Sequence, residues 1–248
     1  MTVLERLKAL RELMKERKID AYLVPTDDFH ASEYVGDYFK CRKYITGFMG
    51  SAGTAVIMQD MAGLWTDGRY FLQAADQLEG STIQLFKMGE PEVPTVHQFL
   101  ADKLEKGMCL GFDGRTVTAK EAGELEELLR EKEITFSVND DLIGEIWNDR
   151  PALSCEPVME LDVKWAGESR ADKIAKIREQ MREKKADIFV LTSLDDIAWF
   201  LNIRGNDVHC CPVVLSYLVM TDKELRLFVN ETVFSGEIRA NLEADGVE

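Results

Sequence analysis

The sequence predicts an α/β fold made of two related domains, and three observations carry that prediction. A helix-then-strand unit occurs twice: Arg11–Val24 reads RELMKERKIDAYLV and Arg178–Leu191 reads REQMREKKADIFVL, a gapless match at an offset of 167 residues. Each copy runs on through an acidic turn, Asp27-Asp28 or Asp195-Asp196, into an aromatic segment, a glycine-containing loop and two strands. Helical and strand patterns alternate along the whole chain, which is the pattern of an α/β protein.

In the first copy, Leu4, Leu7, Leu10 and Met14 recur at helical spacing, and Ile19–Val24 follows as a short buried strand ended by Pro25. Cys41–Ala75 packs glycines, two apolar runs and an Asp-Gly-Arg turn into one stretch on which the rest is organised. Tyr44–Phe48 ends a buried element, Gly47, Gly50 and Gly53 form a loop open to close backbone approach, and Thr54–Met58 and Leu64–Thr66 pair as strands. A helix is expected from near Arg69 to Leu78, stopped at Gly80, followed by the apolar run Ile83–Phe86. Val96, Phe99, Leu100 and Leu104 mark another helix and Met108–Phe112 a strand. Thr118 with Glu121 forms a capping box that opens a helix through Leu129, and Ile134–Val138 is a strand. Leu142–Trp147 closes the unit. Proline and glycine punctuation at Pro151, Pro157 and Gly167 puts the domain boundary near residue 155, giving domains at 1–155 and 156–248.

The second copy gives a helix to Lys185, the strand Ile188–Leu191, a short helix Ile197–Leu201, a loop Arg204–Cys211, strands Val213–Met220 and Leu225–Val229, and a helix to Leu242. By the repeat, about 65 further residues correspond to the part of the first copy up to Trp147, so the native polypeptide is expected to continue past Glu248. Without them a sheet edge and an apolar face stay uncovered.

Composition narrows the function. The 248 residues are 46% hydrophobic, enough for one large core or two ordinary ones, and 45 acidic against 30 basic side chains give a net charge of −15. Such a surface repels phosphate backbones and anionic lipid, which argues against nucleic-acid and membrane partners. The start has no secretory apolar segment and no run approaches a membrane span, which places the chain in the cytoplasm. Five cysteines with no C-x-x-C pair read as reduced thiols.

Gly47-x-x-Gly50-x-x-Gly53 fits neither dinucleotide nor P-loop spacing, and Met49 stands where a nucleophile elbow requires glycine. The loop is then either a tight turn between packed elements or a ligand-facing loop. Three histidines supply no convergent metal set, and His209-Cys210-Cys211 reads as packing rather than chelation. Arg69 either holds its own Asp67 and caps the helix or points at a substrate carboxylate or carbonyl. Arg204 poses the same choice, with function favoured. Trp65 and Trp199 read as core aromatics.

Together Ser32-Glu33-Tyr34, Cys41-Arg42, Gly47–Ala55, Trp65–Ala75, Ile146-Trp147-x-Asp149-Arg150-Pro151 and Leu194-Asp195-x-Ile197-Ala198-Trp199-x-x-Asn202-x-Arg204-Gly205-x-Asp207 resemble the amino-terminal region of Xaa-Pro aminopeptidases of the long, three-domain kind. That resemblance covers essentially the whole chain. It implies two creatinase N-terminal-like domains, each a mixed sheet flanked by helices, the second incomplete here. A pita-bread catalytic domain would follow, holding two manganese-type ions on two Asp, one His and two Glu and cleaving the bond before a proline in second position. That domain's signatures are absent from this chain, so no catalytic or metal-binding residue is expected in it, and the chain alone is expected to be inactive. The resemblance makes Phe48, Ser51, Asp67, Arg69 and Arg204 candidates for a wall that overhangs the cleft and contacts substrate. It also implies the partners: peptides with proline in second position, the chain's own catalytic domain, and a possible homodimer. His209-Cys210-Cys211 departs from the family, which has an acidic or polar residue there. A stand-alone interaction module without peptidase activity is the alternative reading; a single-domain creatinase or prolidase relative disagrees with the repeat.

Overall fold

Thr2 opens the first helix because its hydroxyl accepts the Glu5 N–H while the Glu5 carboxylate accepts the Thr2 N–H, a reciprocal capping box. The computed structural model describes all of residues 1–248. Its contacts divide the chain into two units, Met1–Glu33 with Tyr38–Pro151, and Ala152–Glu248 with Tyr34–Asp37.

In the first unit, α1 (Val3–Arg17) buries Leu7, Leu10 and Met14 and stops at Lys18, whose left-handed backbone (φ 56°) lets its N–H return to Met14 and Lys15. Then come β1 (Ala21–Val24), α2 (Cys41–Thr46), β2 (Thr54–Met58) and β3 (Ala62–Thr66). The expected helix near Arg69 begins instead at Phe71 as α3 (Phe71–Gln77), because Asp67–Tyr70 is spent on a turn held by Tyr70 N–H to Asp67 O. The unit continues through β4 (Gln84–Lys87), α4 (Val96–Lys103), β5 (Cys109–Gly111), α5 (Ala119–Leu129), β6 (Thr135–Ser137) and α6 (Leu142–Ile146).

The six strands form one mixed sheet in the order β4-β3-β2-β1-β5-β6. β1 is parallel to β5, β5 to β6 and β3 to β4, while β2 is antiparallel to both β1 and β3. All strands but β2 therefore run the same way. Alternating side chains divide the core into two layers. Tyr22, Val24, Ala55, Ile57 and Leu64 pack under α1, α2, α3 and α6; Ala21, Leu23, Val56, Trp65 and Phe86 pack under α4 and α5.

The second unit comprises β7 (Met159–Glu160), α7 (Val163–Ala166), α8 (Arg170–Lys184), β8 (Ile188–Leu191), α9 (Leu194–Leu201), β9 (Ile203–Arg204), β10 (Ser216–Thr221), β11 (Leu225–Val229) and α10 (Gly236–Ala244). The sheet order is β11-β10-β8, all antiparallel, and β7 pairs with β9. The internal repeat is realised residue for residue at its start: α8 and β8 lie 167 positions beyond α1 and β1 at both ends, and Lys185 (φ 55°) repeats the left-handed stop of Lys18.

Two expectations fail here. The short helix begins at Leu194, capped by Ser193, so Asp195 and Asp196 are its first turn rather than a preceding acidic loop, where their charges complement the helix dipole. Trp199 is half exposed and not a core aromatic, because α9 turns Ile197, Phe200 and Leu201 inward and leaves position 199 outside. No helix is long and apolar enough to cross a membrane.

Candidate functional site

Because β1, β3, β4, β5 and β6 run together, their carboxyl ends and the amino end of β2 share one border of the first unit's sheet, the border where α/β folds commonly bind ligands. Four of the five candidate residues lie on the two segments that open there: Phe48 and Ser51 before β2, Asp67 and Arg69 after β3.

The loop starts at Gly47, left-handed (φ 75°) after α2, and it is pinned by a side chain to which the sequence assigned no role. Arg42, buried on α2, donates Nε to Thr26 Oγ1 (2.9 Å), Nη1 to the Phe48 carbonyl (2.6 Å) and Nη2 to the Gly50 carbonyl, and its guanidinium lies 4.7 Å from the Phe48 ring. No carboxylate pairs with it, and burial pulls it down to about 10. The next carbonyls are held by threonines at strand ends: Thr26 Oγ1 donates to Gly53 O (2.7 Å) and Thr66 Oγ1 to Ala52 O (2.8 Å). Gln77 of α3 accepts the Met49 N–H (2.8 Å). Gly50 has no room for a side chain, since a Cβ would fall 2.3 Å from Phe48 Cζ and 2.8 Å from Tyr70 Cδ1.

Within this frame the candidates differ. Phe48 is 0% exposed and packs edge-on to Tyr70, so it forms the floor of the loop and presents no surface. Ser51 is exposed, and its hydroxyl lies 2.7 Å from the Tyr70 hydroxyl, tying the loop to the start of α3. Asp67 accepts from Arg69 through both oxygens (2.9 Å each) and from its backbone N–H (3.0 Å), which holds its carboxyl down at about 2. The pair is exposed, with the guanidinium over the Tyr70 ring. Arg204 belongs to the second unit, where its Nη1 donates to the Ala198 and Ile203 carbonyls (2.8 Å each) at the end of α9.

The repeat relates these loops. Gly47 and Asn202 are the left-handed stops of α2 and α9, and Arg204 follows its stop by two residues, as the exposed Met49 follows Gly47. Each helix end meets a cation from the long helix that opens the repeat, α1 or α8. Arg6 donates to Tyr44 O (2.6 Å) and lies over the Tyr44 ring; Lys173, 167 positions on, donates to Trp199 O (2.6 Å) and Asn202 Oδ1 (2.7 Å) and lies over the Trp199 ring.

A second polar group occupies the same border, and the sequence held an unread signal for it. Asp113-Gly114-Arg115 repeats Asp67-Gly68-Arg69 in sequence and in geometry, with Arg115 bidentate on Asp113. Arg115 also reaches Asp141 (3.1 Å), which Arg150 contacts at 2.6 Å; Arg150 in turn lies 3.7 Å over the Tyr38 ring. Asp27 stands beside this group in a small cavity with Cys41, Asp113 and Asp141. Burial pushes the Asp27 carboxyl up to about 6, opposed by the Asp28 N–H and reinforced by the Asp28 and Glu121 charges.

No three His, Cys, Asp or Glu side chains converge as a metal site. The carboxylates brought together, Asp113 and Asp141, share Arg115, a cation where a metal would stand, so this border does not fit a two-metal centre. His209 and Cys210 are exposed on a turn closed by the Val208–Cys211 bridge, not packed as the sequence suggested.

The fold and this border define a class: an α/β chain of two related units, each with a loop after a short helix that ends in a left-handed residue. Models of the creatinase/prolidase N-terminal domain match residues 6–143 and 149–248, and the chain belongs to that family. Its relatives agree with the resemblance read from the motifs. It is 44% identical over 241 residues to a probable Xaa-Pro aminopeptidase P of Laccaria bicolor, covering 96% of this chain and 37% of that protein. To aminopeptidase P2 of Arabidopsis thaliana it is 41% identical over 249 residues, covering 98% and 35%. The crystal structure of X-prolyl aminopeptidase from Caenorhabditis elegans, described as a cytosolic enzyme with a di-nuclear active site, superposes with a TM-score of 0.94 at 38% identity, covering 100% of this chain and 42% of that one. The chain thus spans well under half the length of these relatives.

Proposed function

We propose that this chain works as the amino-terminal, non-catalytic region of an Xaa-Pro aminopeptidase in the cytoplasm, where the pinned loop and its neighbours form part of the wall that admits peptide amino termini. The observation that carries the reading is the near-complete match to proteins of that name combined with the exposed Ser51–Tyr70 and Asp67–Arg69 pairs on the carboxyl border. Arg69 has a fixed fork and a charged partner, so it is preset to donate to a carbonyl or carboxylate without first ordering its own side chain. The chemistry belongs to a catalytic region that this chain does not supply, where two manganese-type ions would act on a peptide with proline in second position. A homodimer is compatible with this reading.

The test is a chimera in which this chain replaces the matched segment of the Laccaria bicolor protein, assayed with an Xaa-Pro peptide and manganese. The chimera is expected to turn over while residues 1–248 alone do not. Within it, Arg69→Ala and Ser51→Ala are expected to raise KM about tenfold with a smaller change in kcat. A folded but inactive chimera overturns the reading. Unaltered kinetics in both variants would leave the wall assignment without support and return these residues to scaffolding.

A further inference from the structure

The loop between β9 and β10 carries a feature that the first unit lacks. Strand register fixes the comparison: Leu23 pairs with Val56, and Val190, 167 positions after Leu23, pairs with Val219. Nine residues lead from the left-handed stop at Gly47 to Val56, but seventeen from the corresponding stop at Asn202 to Val219. The extra length is a folded excursion. Gly205 N–H donates to Pro212 O (3.4 Å), Asp207 N–H donates to Val213 O (3.3 Å), and the buried Asp207 carboxylate accepts the N–H groups of Leu215 (2.8 Å) and Glu156 (3.2 Å). At its tip Cys211 N–H donates to Val208 O (3.0 Å), which closes the turn Val208-His209-Cys210-Cys211.

Packing accounts for only one of the two adjacent thiols in that turn. Cys211 is half-buried against the cluster of Leu194, Ala198, Val208 and Val213. Cys210 is exposed, and its backbone is left-handed (φ 61°), a conformation suited to glycine or asparagine. The remaining cysteines are placed differently. Burial pushes the Cys41 thiol up to about 12, Cys109 lies half-buried against the core, and Cys155, though exposed, has no cysteine beside it in the chain.

We propose that Cys210 and Cys211 are a site of reversible oxidation, at which a hydroperoxide converts the two thiols into a disulfide between neighbours. The exposed Cys210 thiolate attacks the peroxide: an S–O bond forms, the O–O bond breaks, and the departing oxygen takes a proton and leaves as water or an alcohol. The Cys211 sulfur then displaces the hydroxyl of the Cys210 sulfenic acid, and water is released as the S–S bond forms. The thiols lose two electrons and two protons, which the peroxide takes up. Every peptide bond in the chain is trans, so the two Cα atoms stand about 3.8 Å apart, short of the ~4.4 Å at which ordinary disulfides begin. The product is therefore strained and readily reduced, a mark that two molecules of a small thiol such as glutathione remove while forming their own disulfide. Closing the ring pulls on the turn, and the bonds of Asp207 carry the change to Leu215 and Glu156.

The test treats residues 1–248 with a stoichiometric amount of hydrogen peroxide, then unfolds the chain, alkylates its remaining thiols and maps the peptides by mass. The peptide holding Cys210 and Cys211 is expected to be two hydrogens lighter and closed to alkylation, to regain both thiols in reduced glutathione, and to show faster amide exchange at Asp207 and Leu215 while oxidised. Cys211→Ser removes the second step and is expected to raise irreversible sulfinic acid at Cys210 about tenfold, whereas Cys155→Ser leaves both yields unchanged. Thiols at 210 and 211 that remain open to alkylation after peroxide overturn the proposal. A disulfide from Cys210 to Cys155 or to a second chain in place of the vicinal one overturns it too, as does a bond that resists glutathione. Oxidation that leaves exchange at Asp207 and Leu215 unaltered overturns the coupling through Asp207.

Discussion

A buried guanidinium without a carboxylate is costly unless carbonyl and hydroxyl oxygens replace its water, and Arg42 meets that condition with Thr26, Phe48 and Gly50. Removing it strands two loop carbonyls in a dry place. Arg42→Met is expected to cost about 3 kcal/mol in urea unfolding and to open the Met49–Gly53 segment to protease, with Arg42→Lys recovering part of both. If the variant unfolds as the wild type does and the loop stays resistant, the pin lies elsewhere. Asp27 gives a prediction in pH. Its folded-state value, about 6, is raised above the ordinary 3.8, so folding favours the protonated form. That contribution is full below about 3.8, fades as pH rises towards 6 and is absent above it. Asp27→Asn keeps the acceptor for the Asp28 N–H and removes the charge. It should therefore stabilise the chain by on the order of 1 kcal/mol at pH 7.5, after discounting for the water that still reaches the group, with the advantage vanishing near pH 4 in thermal melts. At this scale the sequence was only partly legible. Arg42 binds backbone oxygens, which no residue pattern encodes; Trp199 lies outside because a residue type names a preference for burial, not a side of a helix, and Phe48, a wall candidate only by resemblance, is buried as the end of its apolar element. The second Asp-Gly-Arg turn was readable, since its geometry depends on three consecutive residues alone.

Elements were more legible, because their causes are local. The hydroxyl cap that the sequence displayed is used as such, with Thr118 accepting the Glu121 N–H at the start of α5. The misplaced starts of α3 and α9 come from side chains that can serve a turn or a cap equally well: Asp67 was spent on Arg69, and Ser193 began its helix earlier than the apolar pattern alone implied. Glycines separate the two kinds of requirement. Gly50 is held by crowding, and Gly50→Ala should destabilise by about 1–3 kcal/mol, because Phe48 and Tyr70 are locked and cannot retreat. Gly123 sits inside α5 with nothing within 4 Å of a built Cβ, so Gly123→Ala should stabilise by about 0.5–1 kcal/mol. Opposite shifts in the urea midpoint verify the pair; shifts of the same sign would mean the loop yields and the crowding at Gly50 has no energetic weight.

Over the whole molecule, the repeat was the most informative feature of the sequence and also where sequence reasoning stopped, because a match of 14 residues fixes one helix and one strand but not what covers them. Strand register supplies the rest. β1 is paired along both borders, by β2 and β5, whereas β8 is paired only by β10, though the two strands are equivalent in the repeat. Amide exchange should expose that asymmetry in residues 1–248 without any partner. A central strand exchanges only when its unit opens, while the β8 N–H groups that face away from β10 have no strand acceptor and need no unfolding event to reach water. Amides of β1 facing either neighbour are therefore expected to be protected to the limit set by unfolding of the first unit, whereas β8 should divide into slow amides facing β10 and fast ones facing outward. Slow exchange on both borders of β8 at micromolar concentration would mean that the edge is already occupied, and dilution would identify the occupant: protection that fades with concentration belongs to a second copy of the chain, and protection that persists belongs to the chain itself.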